Sequence, residues 1–367
     1  MVITLFVVVI LLLSTAYFYL KSPVIASFAM LISSIVAAIV SFSYYELLAD
    51  MLVNAGHGGQ WAHPGCFAVL FVVAFIVLRV ACDHLVGANI DFGVLITRST
   101  AVICGLLTGM IASGILVITI AMMPFSPKWP YARFEVNRSL TVSNIRNANK
   151  SFLNTDGLAS GLFSWISKGS MSSKKSFAVY HADFLNQIHL NRLTPEAKKD
   201  EPGTSRPPPP PGGKSGTGRP IIVASSKAIN VSKTGLTRRE DGRAVVEMNI
   251  SGKKIVNGGA ADENRIVSFT LSQVSLVCKE KNQPSNTTGS GVAVYPEKYI
   301  LGEKRNTDEV SLGERITFSR SDFKGAGGRA PIKMVFNVPD SMRPVLLRFK
   351  QNAVVGLPEK STAEEAN

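Results

Sequence analysis

Apolar side chains run almost unbroken through four stretches of the first 125 residues, and from Pro220 onward they alternate with polar ones at every second position. The two patterns predict two kinds of structure. A helix crossing the hydrocarbon core of a bilayer takes about 20 mostly apolar residues. The chain offers such spans over about 2–20, 24–48, 67–86 and 100–123, the first closed by Lys21 and Pro23 and the last by Pro124 and Pro127. Helices this apolar have no polar face to turn toward water, so lipid is their expected surrounding. The first run lacks the basic start and small-residue end of a cleavable leader, and it is expected to stay as a span.

The alternating region predicts strands over 221–223, 244–250, 266–271, 274–278, 292–295, 315–318, 332–338 and 345–349, parted by turn-rich pieces such as residues 257–259. Short strands with no long helix between them predict an antiparallel sandwich. The expected fold class is therefore a membrane α-helical bundle of four transmembrane helices plus a C-terminal all-β immunoglobulin-like sandwich. The expected parts are a membrane domain over 1–127, a polar and amphipathic connector over 128–200, a Pro/Gly-rich linker over 201–219, the sandwich over 220–355 and a disordered tail over 356–367. The linker combines stiff polyproline with flexible glycine and serine. Its Gly213-Lys214-Ser215 ends like a phosphate-binding loop, but Pro208 stands where the first glycine belongs and no strand leads in, so nucleotide binding is excluded.

Charge sharpens the division. The first 130 residues balance Lys21, Arg79, Arg98 and Lys128 against Glu46, Asp50, Asp83 and Asp91, so the net +13 lies entirely beyond them. In the β region the charges are scattered rather than gathered on one face with aromatics between them, and no nucleic-acid partner is expected. Cys66, Cys82, Cys104 and Cys278 show no paired spacing, which leaves the redox compartment open.

Four groups of residues carry candidate chemistry. Between the second and third runs, residues 54–66 (NAGHGGQWAHPGC) hold His57, His63 and Cys66. Their spacing matches no zinc signature and the HExxH pattern is absent, so the segment is read as a turn, with no metal, cofactor or catalytic residue assigned. A metalloenzyme at these three residues is the disfavoured alternative. Arg79 and Asp83 stand four apart near the end of the third run; they form an interfacial pair or, with Arg98, mark a solute or proton path. Gly105, Gly109 and Gly114 let helices approach closely, within the monomer, at a homo-oligomer face or along a pore. Leu158, Leu162, Phe163, Trp165 and Ile166 fall at helical spacing ahead of Lys168, suiting a helix on anionic lipid or one packed on the next domain.

The run from Phe67 to Arg79 (FAVLFVVAFIVLR) resembles the third span of the colicin V production protein (CvpA) family, an apolar helix ending in arginine. Residues 96–109 (ITRSTAVICGLLTG) are similar to that family's Arg-x-x-Gly-x-x-x-Gly opening of span four, although Arg98 lies seven residues before Gly105 rather than three or four. The resemblance covers about residues 1–125. It implies a multi-pass inner-membrane protein linked to colicin V export and envelope upkeep, and it implies no reaction. Lys21, Arg79 and Arg98 near short loops place those ends in the cytoplasm, which puts residues 54–66 and the sandwich outside, although Lys128, Arg133 and Arg138 pull the other way. The expected function is non-enzymatic, in envelope maintenance or toxin export, with the lipid bilayer and an envelope protein or polymer as partners. The alternative is a small-solute or proton transporter using span four with Arg79 and Asp83.

Overall fold

The computed structural model describes residues 2–21, 23–85, 93–134, 140–169, 175–193, 223–224, 227–238, 242–251, 267–284, 287–301, 304–305, 311–318, 322–323, 328–358 and 362–363; the linker over 201–219 lies outside them. Four helices, α1 (Val2–Lys21), α2 (Val24–Asn54), α3 (Ala62–Leu85) and α4 (Val94–Met122), are long and apolar enough to cross a membrane. The protein is membrane-embedded. Hydropathy delimits only the part of a helix that lies in hydrocarbon. Accordingly α2 runs on to Asn54, past the expected end near 48, and α3 begins at Ala62 rather than near 67. The added turns are held by tertiary contact, since Ala49, Val53 and Ala62 are buried together with Val223. Span four also starts early, at Val94, behind Gly93 at φ +83°.

The α2–α3 connection is a glycine-terminated helix end. Gly56 adopts φ +82°, its N–H reaches Val53 O at 3.0 Å, and His57 N–H reaches Leu52 O at 2.8 Å. That pair of bonds satisfies the last carbonyls of α2 and requires a left-handed residue between them.

Inside the bundle α2 packs on α3 and α4, and α1 packs on α4. The glycines of α4 set the distance. A side chain at Gly105 would come within 2.9 Å of Thr15 Cα, and one at Gly109 within 3.1 Å of Leu11 Cδ2. Ser14 Oγ donates to Gly105 O at 2.8 Å across the same contact. Gly114 lies under a different neighbour, the start of α5 (Thr155–Lys168), where a Cβ would overlap the Thr155 carbonyl and sit 3.0 Å from Ala159 Cβ. The small-residue face of span four is thus filled from within the monomer. On α3, by contrast, Val69, Val72, Val73, Ile76, Val77 and Val80 all point outward, the surface that hydrocarbon covers.

The region after span four belongs to both halves of the molecule. Phe163 of α5, Phe177 of α6 (Phe177–Tyr180) and Phe184 of α7 (Phe184–Leu190) gather around Phe42 of α2, with ring centroids 4.9, 5.3 and 5.8 Å from it. Leu140, Ile145 and Leu190 instead enter the core of the β domain. The buried Asp156 carboxylate pins α5 to the chain leaving α4: it accepts from Tyr131 Oη at 2.6 Å and from Ser151 Oγ.

The β domain contains β1 (Ile229–Arg238), β2 (Arg243–Ser251), β3 (Val267–Thr270), β4 (Val274–Glu280), β5 (Val292–Val294), β6 (Pro296–Leu301), β7 (Lys304–Arg305), β8 (Arg315–Phe318), β9 (Arg329–Asn337), β10 (Met342–Phe349), β11 (Ala353–Gly356) and β12 (Thr362–Ala363). They form sheets in the orders β12-β1-β2-β9-β6-β7, β11-β10-β4-β5 and β3-β8, antiparallel except where β12 joins β1. Along β9, Ala330, Ile332, Met334 and Phe336 are buried while Arg329, Pro331 and Lys333 are exposed, the alternation its sequence predicts, broken only at Val335, which is buried as well. The inward residues meet Leu276, Phe318, Leu347 and Phe349 in one core.

Two expectations change. Val223, expected in a strand, makes no ladder, because both its backbone groups bond to a side chain of the membrane bundle. In the tail expected to be disordered, Thr362 and Ala363 pair with Thr237 and Arg238; the residues around that pair lie outside the described ones.

Gly114→Leu is expected to lower stability by about 2–3 kcal/mol through overpacking against α5. Gly161→Ala, where an added Cβ meets open space, is expected to be neutral or stabilising by under about 1 kcal/mol. Thermal unfolding of both variants in detergent, followed by tryptophan fluorescence, checks the contrast.

Candidate functional site at the membrane junction

Strands β10 and β11 form a hairpin in which Phe349 pairs with Ala353, leaving Lys350, Gln351 and Asn352 as its tip. A tip of this polarity belongs in water by composition. Here the three residues are only 1, 2 and 6 % exposed, the tip lying against Gln273 and Ala224 of its own domain and, through Asn352, against α2. Lys350 takes the left-handed conformation at φ +56° and its N–H reaches Gln273 O at 2.6 Å. Burial pushes the Lys350 ammonium down to about 7. Asn352 is the contact residue: its Nδ2 donates to Asp50 Oδ1 at 2.8 Å and to Ala224 O at 2.7 Å, and its Oδ1 accepts from Ala224 N at 3.1 Å. One residue earlier, Val223 is clasped by Gln60, which accepts from Val223 N at 2.8 Å and donates to Val223 O at 3.3 Å. The chain entering the β domain is therefore held between a side chain of the α2–α3 turn and one of the hairpin tip.

Beside this clasp lies an ionic contact. Glu46 and Asp50 stand four apart on α2 and so share one face. Glu46 Oε1 is 2.8 Å from His181 Nε2, just beyond α6, and 4.0 Å from Arg348 Nη2 on β10. Tyr45 Oη also donates to it, at 3.3 Å. Arg348 is 2 % exposed, a position a guanidinium occupies only when its donors are satisfied. Its Nη1 donates to Tyr180 O and its Nη2 to Gln351 O at 2.6 Å; with the Gln187 carboxamide turned so that its oxygen faces the guanidinium, Nε and Nη2 donate to it as well, at 3.0 and 2.8 Å. His181 is packed among Phe177 and Phe184. Burial pushes its pKa below the ordinary imidazole value, against the opposing pull of Glu46. The ring is therefore neutral near pH 7, with Nε2–H donating to the carboxylate.

The residues expected to carry chemistry are dispersed. His57 is exposed in the turn; His63 is fully buried on α3, 3.6 Å from Asp50 Oδ1; and Cys66 lies further along the same helix, half-buried. Among the described residues no three His, Cys, Asp or Glu side chains gather closely enough to hold a metal. The segment NAGHGGQWAHPGC is a turn that docks the β domain through Gln60, which bonds both backbone groups of Val223. Arg79 and Asp83 pair with each other at 2.9 Å near the end of α3, away from the junction, and Arg98 sits in the first turns of α4. On α5, Phe163 is buried in the bundle, Leu158, Leu162 and Ile166 are half-buried, and Trp165 is 72 % exposed, so the helix packs inward and shows one aromatic outward.

Sequence reading missed Glu46, Asp50, Asn352, Arg348 and His181 as a group. One signal was available. Two carboxylates four apart at the end of an otherwise uncharged run ask for a partner that the run itself does not supply.

Fold and site together define a four-span membrane protein whose β domain is docked on the bundle through a buried ionic and amide contact. No family model, no curated protein and no solved structure matches the chain.

Arg348→Met is expected to weaken docking by about 3 kcal/mol, the low end for a broken buried pair because Glu46 is one-third exposed, and adding Glu46→Leu is expected to recover part of that loss. Hydrogen exchange of the amides over 345–356 in nanodiscs reads the change. A second expectation concerns pH. The docked protein holds His181 neutral, so the His181 contribution to docking is fully present above the ordinary imidazole pKa of about 6.5 and is lost as pH falls through it toward the depressed value. His181→Gln should flatten that dependence in the same exchange measurement between pH 7.5 and 5.5, both about one unit from the ordinary value.

Proposed function

We propose that the chain is a non-enzymatic protein of the bacterial inner membrane, of the colicin V production protein type, serving envelope maintenance or toxin export. In this reading the β domain is an immunoglobulin-like sandwich lying on the exoplasmic side, where it binds a protein or an envelope polymer. The observation that carries the reading is the buried contact of Glu46, His181 and Arg348, with Asn352 on Asp50 beside it. A domain held by such a contact keeps a fixed height and orientation over the lipid, as a receptor platform needs and a loosely tethered domain does not provide. The charged groups of the junction are turned on one another and on backbone carbonyls, which supports a structural role for them. Arg79 at the close of α3, and Gly105 and Gly109 in α4, support the family reading. Lys21, Arg79 and Arg98 all lie at the end of the bundle away from the β domain, which supports the exoplasmic orientation.

The experiment joins topology to capture. Alkaline phosphatase fused after Asn367 should be active in intact cells, and a fluorescent protein at the same point dark. A photo-crosslinking residue at Lys333, on the exposed face of β9, should then give a discrete adduct with an envelope component. Fluorescence without phosphatase activity overturns the orientation, and an exported domain that gives no adduct overturns the binding role.

A further inference from the structure

At the end of the bundle opposite the β domain, a cleft of about 310 Å3 opens between the last turn of α1 and the first turns of α4. Tyr19, Lys21 and Pro23 form one wall; Val94, Thr97 and Arg98 form the other. Its chemistry follows from Pro23. Proline has no N–H, so the Tyr19 carbonyl four residues earlier lacks its intrahelical donor. Arg98 supplies one: Nη1 donates to Tyr19 O, and the guanidinium carbon lies 4.5 Å from the centroid of the Tyr19 ring. A guanidinium has five N–H donors, and among the described residues this carbonyl is the one hydrogen-bond partner of Arg98. Among the described residues neither Arg98 nor Lys21 pairs with a carboxylate. Two cations thus face one cleft, joined by the first-turn N–H groups of α4, whose dipole adds positive potential.

The rim has a second character. Leu20, Val94 and Leu95 are 72, 78 and 85 % exposed, and they flank the cations at the edge of the apolar spans. A free anion has no use for that flank, whereas a molecule with an anionic head and apolar chains matches both parts. We propose that this cleft binds the headgroup phosphate of an anionic phospholipid, held by Arg98 and Lys21, with its acyl chains along Leu20, Val94 and Leu95. The assignment goes beyond the platform role and does not depend on which side of the membrane this end faces.

Native mass spectrometry of the full chain, released from mixed micelles holding equal phosphatidylglycerol and phosphatidylcholine, tests it. Phosphatidylglycerol adducts should be retained over phosphatidylcholine, and Lys21→Gln should lower their occupancy about fivefold. Arg98→Gln should lower it as well but also removes the cap on α1, so Lys21→Gln is the deciding variant. Arg79→Gln, which disturbs a cation at the same end that is already paired with Asp83, should leave occupancy unchanged. Equal retention of the two lipids, unchanged phosphatidylglycerol binding in Lys21→Gln, or full displacement by inorganic phosphate would each overturn the proposal, the last by making the ligand a free anion.

Discussion

A carboxylate on a helix that is otherwise apolar has to find partners, and in this protein the need of Glu46 organises the junction. The hairpin of β10 and β11 brings Arg348 toward it, the turn after α6 brings His181, and Asp50 one helical turn further takes Asn352. None of these groups would be stable where it lies without the others. A buried guanidinium needs its full set of acceptors, and Arg348 finds them in Tyr180, Gln187 and Gln351. The contact therefore couples the two halves of the chain directly, independently of the linker between them.

The bundle is built on a different principle. Where charge fixes the junction, the absence of side chains fixes the packing of α4, with Gly105 and Gly109 admitting α1 and Gly114 admitting α5. Lipid supplies no hydrophobic drive between helices, so close backbone approach and contacts such as Ser14 on Gly105 carry the association. The third helix lacks such a groove on its outer face and turns a row of valines to the hydrocarbon. Phe42, with its ring of Phe163, Phe177 and Phe184, then joins the end of the bundle to the region that leads into the β domain.

Legibility differed from residue to residue for physical reasons. Strand β9 could be read from its alternation because one of its faces is wet. The ends of α2 and α3 could not, since protein rather than lipid covers them and hydropathy has no way to tell the two apart. His63 was read as part of a loop and is buried; Lys350, Gln351 and Asn352, polar residues at a hairpin tip, are buried too. His63 is covered from the preceding helix, by Tyr45 and Asp50, and Asn352 by Ala224 and Asp50, 128 and 302 positions away in the chain, contacts that no local pattern records.

By itself the sequence determined that four helices cross a membrane and that an antiparallel β domain follows, because period and hydropathy act over a few residues and depend on the solvent alone. Only the tertiary structure decided that the β domain is seated on the bundle, that the glycines of span four are filled from within, and that a histidine, an arginine and a carboxylate from three distant segments meet. Those outcomes depend on which surfaces come together, and a buried charge chooses its partner by position in space rather than by place in the chain.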